Sequence, residues 1–266
     1  MWSCLLLTDA ASQPAGFGGL TLVPADDPIA LVDAIGAVAS GHVLVAAPRS
    51  LSVALATGLT ITAGRWPLLR TTSLVSEHAP LAVLAAMSQA RQVTDDPMLG
   101  VALVRRLLES AWSGAWTESV AALARPVPSF SQHLRSLLPG SGFLLRQEPG
   151  PAVLAGPRDD DVPTVGLGRV LLVEQGRVPG PVAERLSKAV GVSAVQQVTV
   201  PGRWTSVYGT DRTGQVALLP ADPAQLLGLV THRCPACGSG LADPVCPFCR
   251  VLGHPAVPAA HTGGRS

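Results

Sequence analysis

Four of the five cysteines in this chain form two closely spaced pairs near its C-terminus. The pairs have the sequences CPAC, at Cys234 and Cys237, and CPFC, at Cys246 and Cys249, and eight residues separate them. Two residues between cysteines allow a tight turn to direct both sulfur atoms at one ion. Four thiolates complete a tetrahedral shell and favour zinc over hard cations. We therefore predict one structural Zn²⁺ ion bound by these four side chains.

This pattern resembles the short zinc-ribbon family, in which two CPxC knuckles usually lie about ten residues apart. The resemblance covers residues 232–250 only and implies a Cys4 zinc ribbon with a structural metal. It does not imply an activity, because zinc ribbons occur in nucleic-acid machinery, in enzymes and in proteins that bind other proteins.

Other uses of the paired cysteines are disulfides, a redox dithiol or an iron–sulfur cluster. The chain is otherwise poor in cysteine, which suits a metal site in a reducing compartment better than a disulfide framework. A catalytic zinc is disfavoured because four thiolates leave no open coordination position. His232 lies two residues before the first pair, but the four cysteines already complete the shell. The fifth cysteine, Cys4, is predicted to be a small buried hydrophobic residue.

The rest of the chain alternates strand-like apolar segments with segments of helical spacing, which predicts an α/β (or α+β) body. Strands are predicted at residues 2–7, 20–23, 42–47, 68–75, 143–146, 165–173, 195–200 and 215–219, and a β-like segment at residues 59–62. Helices are predicted at residues 29–38, 50–56, 80–91, 97–110, 117–124, 131–138, 181–190 and 222–229. Trp112 and Trp116, spaced i, i+4, are interpreted as neighbours on a further helix.

The predicted domain organisation has four parts. Residues 1–156 form an α/β N-terminal unit, and residues 157–230 form a smaller α/β unit that is either separate or part of the same domain. Residues 231–252 form the zinc ribbon, and residues 253–266 form a disordered tail. The boundary near residue 157 contains Asp159, Asp160 and Asp161, which are interpreted as a solvated linker and not as a cation site.

Charge and hydropathy disfavour two classes of function. Charged residues make up only 14% of the chain, the net charge is +1, and no segment clusters the basic residues that binding to a phosphate backbone requires. No apolar stretch approaches the roughly 20 residues of a membrane span, and the N-terminus lacks a secretory signal. We therefore predict a cytoplasmic protein without membrane insertion. Lys188 is the only lysine, a bias typical of high-GC bacterial coding.

No segment carries a catalytic signature. Ser50 follows a predicted strand, but its neighbours do not form the Gly-x-Ser-x-Gly elbow, and it is interpreted as a helix cap. Glu77, His78 and His133 stand alone in the sequence and are interpreted as structural or surface residues. The glycine-rich segments match neither the dinucleotide fingerprint nor the phosphate loop.

The leading hypothesis from the sequence is a non-enzymatic protein whose zinc ribbon is a protein-interaction or assembly module. Its partner would be another protein, because a surface poor in charge suits such contacts. The first alternative is nucleic-acid binding through His232, Arg233, Arg250 and Arg265, which the charge distribution does not favour. The second is an enzyme whose active site is assembled from distant residues.

Overall fold

The computed structural model describes residues 2–9, 19–38, 41–138, 142–154, 168–192, 194–202 and 204–256. The chain first forms β1 (Ser3–Thr8), β2 (Leu20–Pro24), α1 (Pro28–Gly36), β3 (His42–Pro48), α2 (Ser52–Arg65), β4 (Arg70–Ser76), α3 (Pro80–Val93), α4 (Pro97–Glu109) and β5 (Trp112–Thr117). It continues with α5 (Phe130–Arg135), β6 (Phe143–Glu148), β7 (Ala152–Leu154), β8 (Arg169–Glu174), α6 (Gly180–Ala189), β9 (Val195–Val198), α7 (Thr205–Tyr208) and β10 (Gly214–Pro220). The last strands are β11 (His232–Arg233), β12 (Gly240–Leu241) and β13 (His254–Pro255).

The first sheet is parallel, with the strand order β2-β1-β3-β4. Parallel strands are usually covered on both faces and are therefore apolar along their length. Side chains of β1 alternate accordingly: Leu5 and Leu7 pack with α1 and α2, whereas Cys4 and Leu6 face the centre of the molecule. The predicted strands at residues 2–7, 42–47 and 68–75 are confirmed as β1, β3 and β4.

The second sheet has the strand order β7-β6-β5-β10-β8-β9. Its strand pairs are antiparallel except for β8 and β9, which are parallel. One face is covered by α6 through Val182 and Leu186. The other face belongs to the same apolar core as the inner face of the first sheet.

Helix α3 lies in this shared core, which explains its sequence. Residues 81–87 are all buried, as expected for a helix that is apolar on every side. The N–H of Leu81 donates to Oε1 of Gln215 on β10 at 2.8 Å. This bond satisfies one of the amide groups that a helix start leaves without a partner, and it fixes α3 to the second sheet.

Residues 59–62 belong to α2, so the β-like interpretation of this segment is wrong. The hydroxyls of Thr60 and Thr62 donate to the carbonyls of Ala56 and Gly58, both at 2.8 Å. These bonds satisfy the polar groups within the helix, and packing against α1 overrides the β propensity of the segment.

The helices predicted around Trp112 and Trp116 and at residues 117–124 are also wrong. Both tryptophans lie on β5, where residues four apart share a face because strand side chains alternate with a period of two. The i, i+4 spacing of the two tryptophans therefore fits either a helix or a strand. Both rings pack in the core beneath α6, and residues 118–129 form turns and irregular chain.

The C-terminal segment, residues 231–256, contains the small antiparallel sheet β12-β11-β13.

The mixed α/β class predicted for the body is confirmed. The six-stranded sheet takes three strands from each side of the predicted boundary near residue 157, while the boundary itself, with Asp159, Asp160 and Asp161, lies outside the described residues. The predicted tail lies outside them from residue 257 onward. Within the described residues, no helix has both the length and the apolar character needed to cross a bilayer.

Candidate functional site

A polar crevice lies where the parallel strands β3 and β4 end. In open α/β sheets, ligands bind beyond the carboxyl ends of the strands. Here Arg49 and Ser50 follow β3, and Glu77 and His78 follow β4. Ser50 Oγ donates to Ser206 Oγ of α7 at 3.3 Å, so the crevice is closed on its far side by elements of the second sheet layer.

His78 has its ring orientation fixed by the second sheet. Its Nδ1 lies 3.0 Å from Ser113 Oγ on β5, and the same oxygen accepts from the N–H of Ala79 at 3.1 Å. A hydroxyl can both donate and accept, so the contact with Ser113 is compatible with either tautomer of His78. Burial lowers the pKa of His78, although the charge of Glu148 opposes the shift. A hydrogen bond to the backbone of Leu108 also opposes the shift. The fully buried Ser113 is not accessible as a nucleophile.

Three cavities meet at Glu77, and we call them together the Glu77 crevice. One has a volume of about 380 Å³ and is lined by Arg105 together with Leu74, Leu108, Ala111 and Pro149. A second has about 480 Å³ and is lined by Arg125 and Gln147 together with Pro126, Val127, Pro151 and Ala152. A narrow space of about 30 Å³ connects them and contains Ser50, Ser76, His78 and Ser206. The two larger volumes lie in the range of roughly 300–1,000 Å³ typical of small-molecule sites.

The arginines that line the crevice differ in whether they form ion pairs. Arg49 forms an ion pair with Glu77 at 2.7 Å. Arg105 and Arg125 form no ion pair with any residue that the structure describes. Glu148 is turned toward the backbone, since its Oε2 accepts from the N–H of Gly150 at 3.2 Å. Each of the two larger cavities therefore has one arginine without an ion pair to a described residue, beside the carboxylates of Glu77 and Glu148, which line both cavities.

Gln147 adds a buried donor next to Arg125. Its side chain lines both the narrow space and the 480 Å³ cavity. The Nε2 atom of Gln147 and the hydroxyl of Tyr208 are both buried, and a hydrogen bond from Gln147 opposes the rise that burial causes in the pKa of Tyr208. With the adjacent apolar side chains, the arrangement suits an amphiphilic anion.

Sequence reasoning missed most of this site. The interpretation of Ser50 as a helix cap is wrong, because α2 begins at Ser52 and its N-terminus has no side-chain cap. Glu77 and His78 were interpreted as isolated residues, yet both line the crevice. Arg125 and Gln147 carry no motif. One available signal is the position of Ser50 and His78, each two residues beyond the end of a parallel strand.

The four predicted zinc ligands lie together near the C-terminus. One sulfur atom from each of Cys234, Cys237, Cys246 and Cys249 is within 4.8 Å of the other three. Cys234 and Cys246 are buried and the other two are half-buried. All five cysteines are free thiols, and Cys4 is buried in the body, where burial raises its pKa to about 12. His232 is not part of this cluster and instead lies 2.8 Å from the hydroxyl of Thr231.

The two cysteine pairs have equivalent backbone turns. The N–H of Gly238 donates to the carbonyl of Cys234 at 2.8 Å, and the N–H of Arg250 donates to the carbonyl of Cys246 at 2.9 Å. Gly238 and Arg250 both have positive φ, at 73° and 58°. Positive φ is uncommon for a residue other than glycine, so the position of Arg250 indicates a turn that the surrounding structure holds firmly.

Comparison with known proteins assigns the fold of the body. No family model and no curated protein matches the chain. A DegV family protein from Eubacterium eligens, loaded with heptadecanoic acid, has a TM-score of 0.60 at 9% identity, over 83% of this chain and 99% of that one. A DegV family protein from Corynebacterium glutamicum gives 0.59 at 12% identity, over 83% and 97%. The Streptococcus pneumoniae fatty acid kinase (Fak) B3 protein, loaded with linoleic acid, gives 0.59 at 10% identity, over 83% and 99%.

These similarities correct the function predicted from the sequence. The prediction of a zinc-ribbon interaction or assembly module with a protein partner is wrong, because several of the solved structures that share this fold are described as fatty-acid complexes. The nucleic-acid alternative is wrong for the same reason. Of its four residues, Arg265 lies outside the described residues, and Arg233 donates to the carbonyl of Gly238 at 3.0 Å. The body therefore has a mixed α/β fold similar to that of DegV family proteins.

Proposed function

We propose that the protein binds a long-chain fatty acid in the Glu77 crevice. The observation that carries this proposal is the position of Arg125, which has no ion pair with a described residue, beside Gln147 and four apolar residues in one cavity. Glu77, which is paired with Arg49, and Glu148 line the same cavity. The fatty acids described for proteins of the same fold support the proposal.

The carboxylate would lie between Arg125 and Gln147, at the junction with the narrow space. A guanidinium group and a carboxamide N–H group are both suitable donors to a carboxylate. The hydroxyls of Ser50, Ser76 and Ser206 line the same space and supply further hydrogen-bond partners. The imidazole of His78 lines this space as well.

The acyl chain would follow the apolar wall of the 480 Å³ cavity, formed by Pro126 and Val127 on one side and by Pro151 and Ala152 on the other. Val127 is 82% exposed. Covering this side chain with an acyl chain removes apolar surface from water, which contributes roughly 25 cal/mol for each Å² buried.

Binding is tested with the purified protein and Arg125→Glu. We expect the wild-type protein to yield fatty acids on extraction and mass spectrometry, and to bind a fluorescent fatty acid saturably after lipid removal. Arg125→Glu should weaken binding about tenfold or more, because loss of a charge-assisted hydrogen bond costs about 1.5–3 kcal/mol.

Arg105→Glu is the matched control, since Arg105 is the corresponding cation of the 380 Å³ cavity. We expect this variant to bind with nearly the affinity of the wild-type protein. Equal weakening by both variants would contradict the proposed position of the carboxylate. Absence of saturable binding by the wild-type protein would contradict the function itself.

We also propose that residues 231–252 are a zinc ribbon, with one Zn²⁺ held by the four clustered cysteines. Zn–S bonds of about 2.3 Å in a tetrahedral shell place the sulfur atoms about 3.8 Å apart, which is compatible with four sulfur atoms within 4.8 Å of one another. The closed four-thiolate set supports a structural role for the metal. Elemental analysis should find about one zinc per chain, and iron with a visible charge-transfer band would contradict the assignment.

A further inference from the structure

The C-terminal segment contacts two elements that lead to opposite walls of the Glu77 crevice. The ring of Phe248 lies edge-on to that of His42, the first residue of β3, with centroids 4.9 Å apart. Cys246 Sγ lies 3.9 Å from Met98 Sδ, in the first turn of α4. Asp243 forms an ion pair with Arg106 of α4 at 3.2 Å.

The contacts with His42 and Met98 lie at the ends of β3 and α4 that are far from the crevice, whereas the ion pair with Arg106 lies in the last turn of α4. Strand β3 runs from His42 to the crevice at Pro48. Helix α4 runs from Met98 to Glu109, which lines the 380 Å³ cavity. At about 1.5 Å per residue, Met98 and Glu109 are separated by about 16 Å along the helix axis.

Each of the two elements belongs to a different wall. Strand β3 is part of the first sheet, whose carboxyl ends form one wall. Helix α4 is followed after two residues by β5 of the second sheet, which contributes Ser113 to the other wall. Motion of one wall relative to the other changes the width of the narrow space where the carboxylate would lie, and a segment attached to both elements resists that motion.

We propose that the zinc-loaded C-terminal segment is a clamp that joins β3 to α4 behind the crevice, so that metal loss accelerates release of bound fatty acid. This inference rests on the proposed function for its ligand. The metal is required because so small a segment obtains most of its folding energy from zinc. Without zinc the segment loses the fixed turns that hold Phe248 and Asp243 against the body.

Two measurements test the clamp in the full-length protein. Hydrogen exchange followed by mass spectrometry should show faster exchange at the start of β3 and in the first turn of α4 after zinc is removed. Dissociation of a fluorescent fatty acid, measured by stopped flow, should become about tenfold faster, which corresponds to about 1.4 kcal/mol.

The variant Phe248→Ala tests the contact with β3 independently of zinc binding. It keeps all four cysteines and removes the contact with His42. We expect it to retain one zinc and to release fatty acid faster. Leu252→Ala is the control, since Leu252 lies in the same segment and is 70% exposed, and its release rate should match that of the wild-type protein.

The outcomes distinguish this inference from the function on which it rests. Saturable binding with unchanged release rates in both Phe248→Ala and the zinc-free protein would overturn the clamp but leave fatty-acid binding intact. Unchanged hydrogen exchange at β3 and α4 on zinc removal would also overturn it. Absence of saturable binding at equilibrium would reject the proposed function, and with it the predicted effect on release.

Discussion

Replacing Gly114 by alanine should lower the free energy of unfolding of the body by about 3 kcal/mol, the upper end of what overpacking of a core usually costs. Gly114 lies on β5, where the register with β6 shifts between residues 113 and 114. A β-carbon at this position would overlap the backbone carbonyl oxygen of Leu145 on β6. Backbone atoms within a sheet cannot move aside as a flexible side chain does, so the β5–β6 pairing must be distorted.

Gly64→Ala is the matched control for this substitution. Gly64 lies in α2, and a β-carbon there would have no atom within 4 Å apart from its own helix. Alanine should raise stability by up to about 1 kcal/mol, because glycine is the poorer helix former. Chemical denaturation followed by tryptophan fluorescence compares the three proteins. A midpoint for Gly114→Ala equal to that of the wild-type protein would show that the sheet accommodates the side chain.

The elements that the sequence predicted well are those whose local signals agree with their packing. Helices α3 and α4 begin at Pro80 and Pro97, and Asp96 accepts from the N–H groups of Met98 and Leu99, at 2.8 and 3.1 Å. Proline in the first turn and an acidic cap are local features of a helix start. Strand β3 is a continuous apolar run, as a strand covered on both faces requires.

The errors arose where tertiary contacts decide between two local possibilities. Residues 59–62 have β propensity, but Gly58 lies against Leu31 of α1, and this close helix packing holds the segment in α2. Trp112 and Trp116 share a face in either a helix or a strand. Only the pairing of β5 with β6 and β10 determines the outcome, and that pairing is not visible in local spacing.

The cysteine cluster and the Glu77 crevice differ in how far apart their residues lie in the sequence. The four cysteines could be predicted because the ligands lie within 16 residues of sequence, from Cys234 to Cys249, and thiolate pairs at this spacing have few other uses. The crevice could not, because Ser50 meets Ser206 across 156 residues of sequence. Arg125 and Gln147 are ordinary residues until the fold places them beside one cavity.

Replacing Cys246 by serine should remove the bound zinc and unfold residues 231–256 locally, while the body keeps its own unfolding transition. Metal binding supplies about 10–16 kcal/mol in small zinc domains. Beyond the cluster, the buried apolar side chains of this segment amount to Leu241, which packs with Met98 of the body. Three thiolates leave the shell incomplete, and the segment cannot replace the lost free energy by apolar burial.

Cys4→Ala provides the control, because it also removes one thiol but from the core of the first sheet, away from the cluster. This variant should keep one zinc per chain and lose some stability of the body through the small cavity that it creates. Zinc content and limited proteolysis of both variants are the measurements. Cleavage confined to the C-terminal segment of Cys246→Ser is the expected result. A protease-resistant segment without zinc would mean that packing on α4 and β3 alone holds it in place, and the metal would then have no structural role.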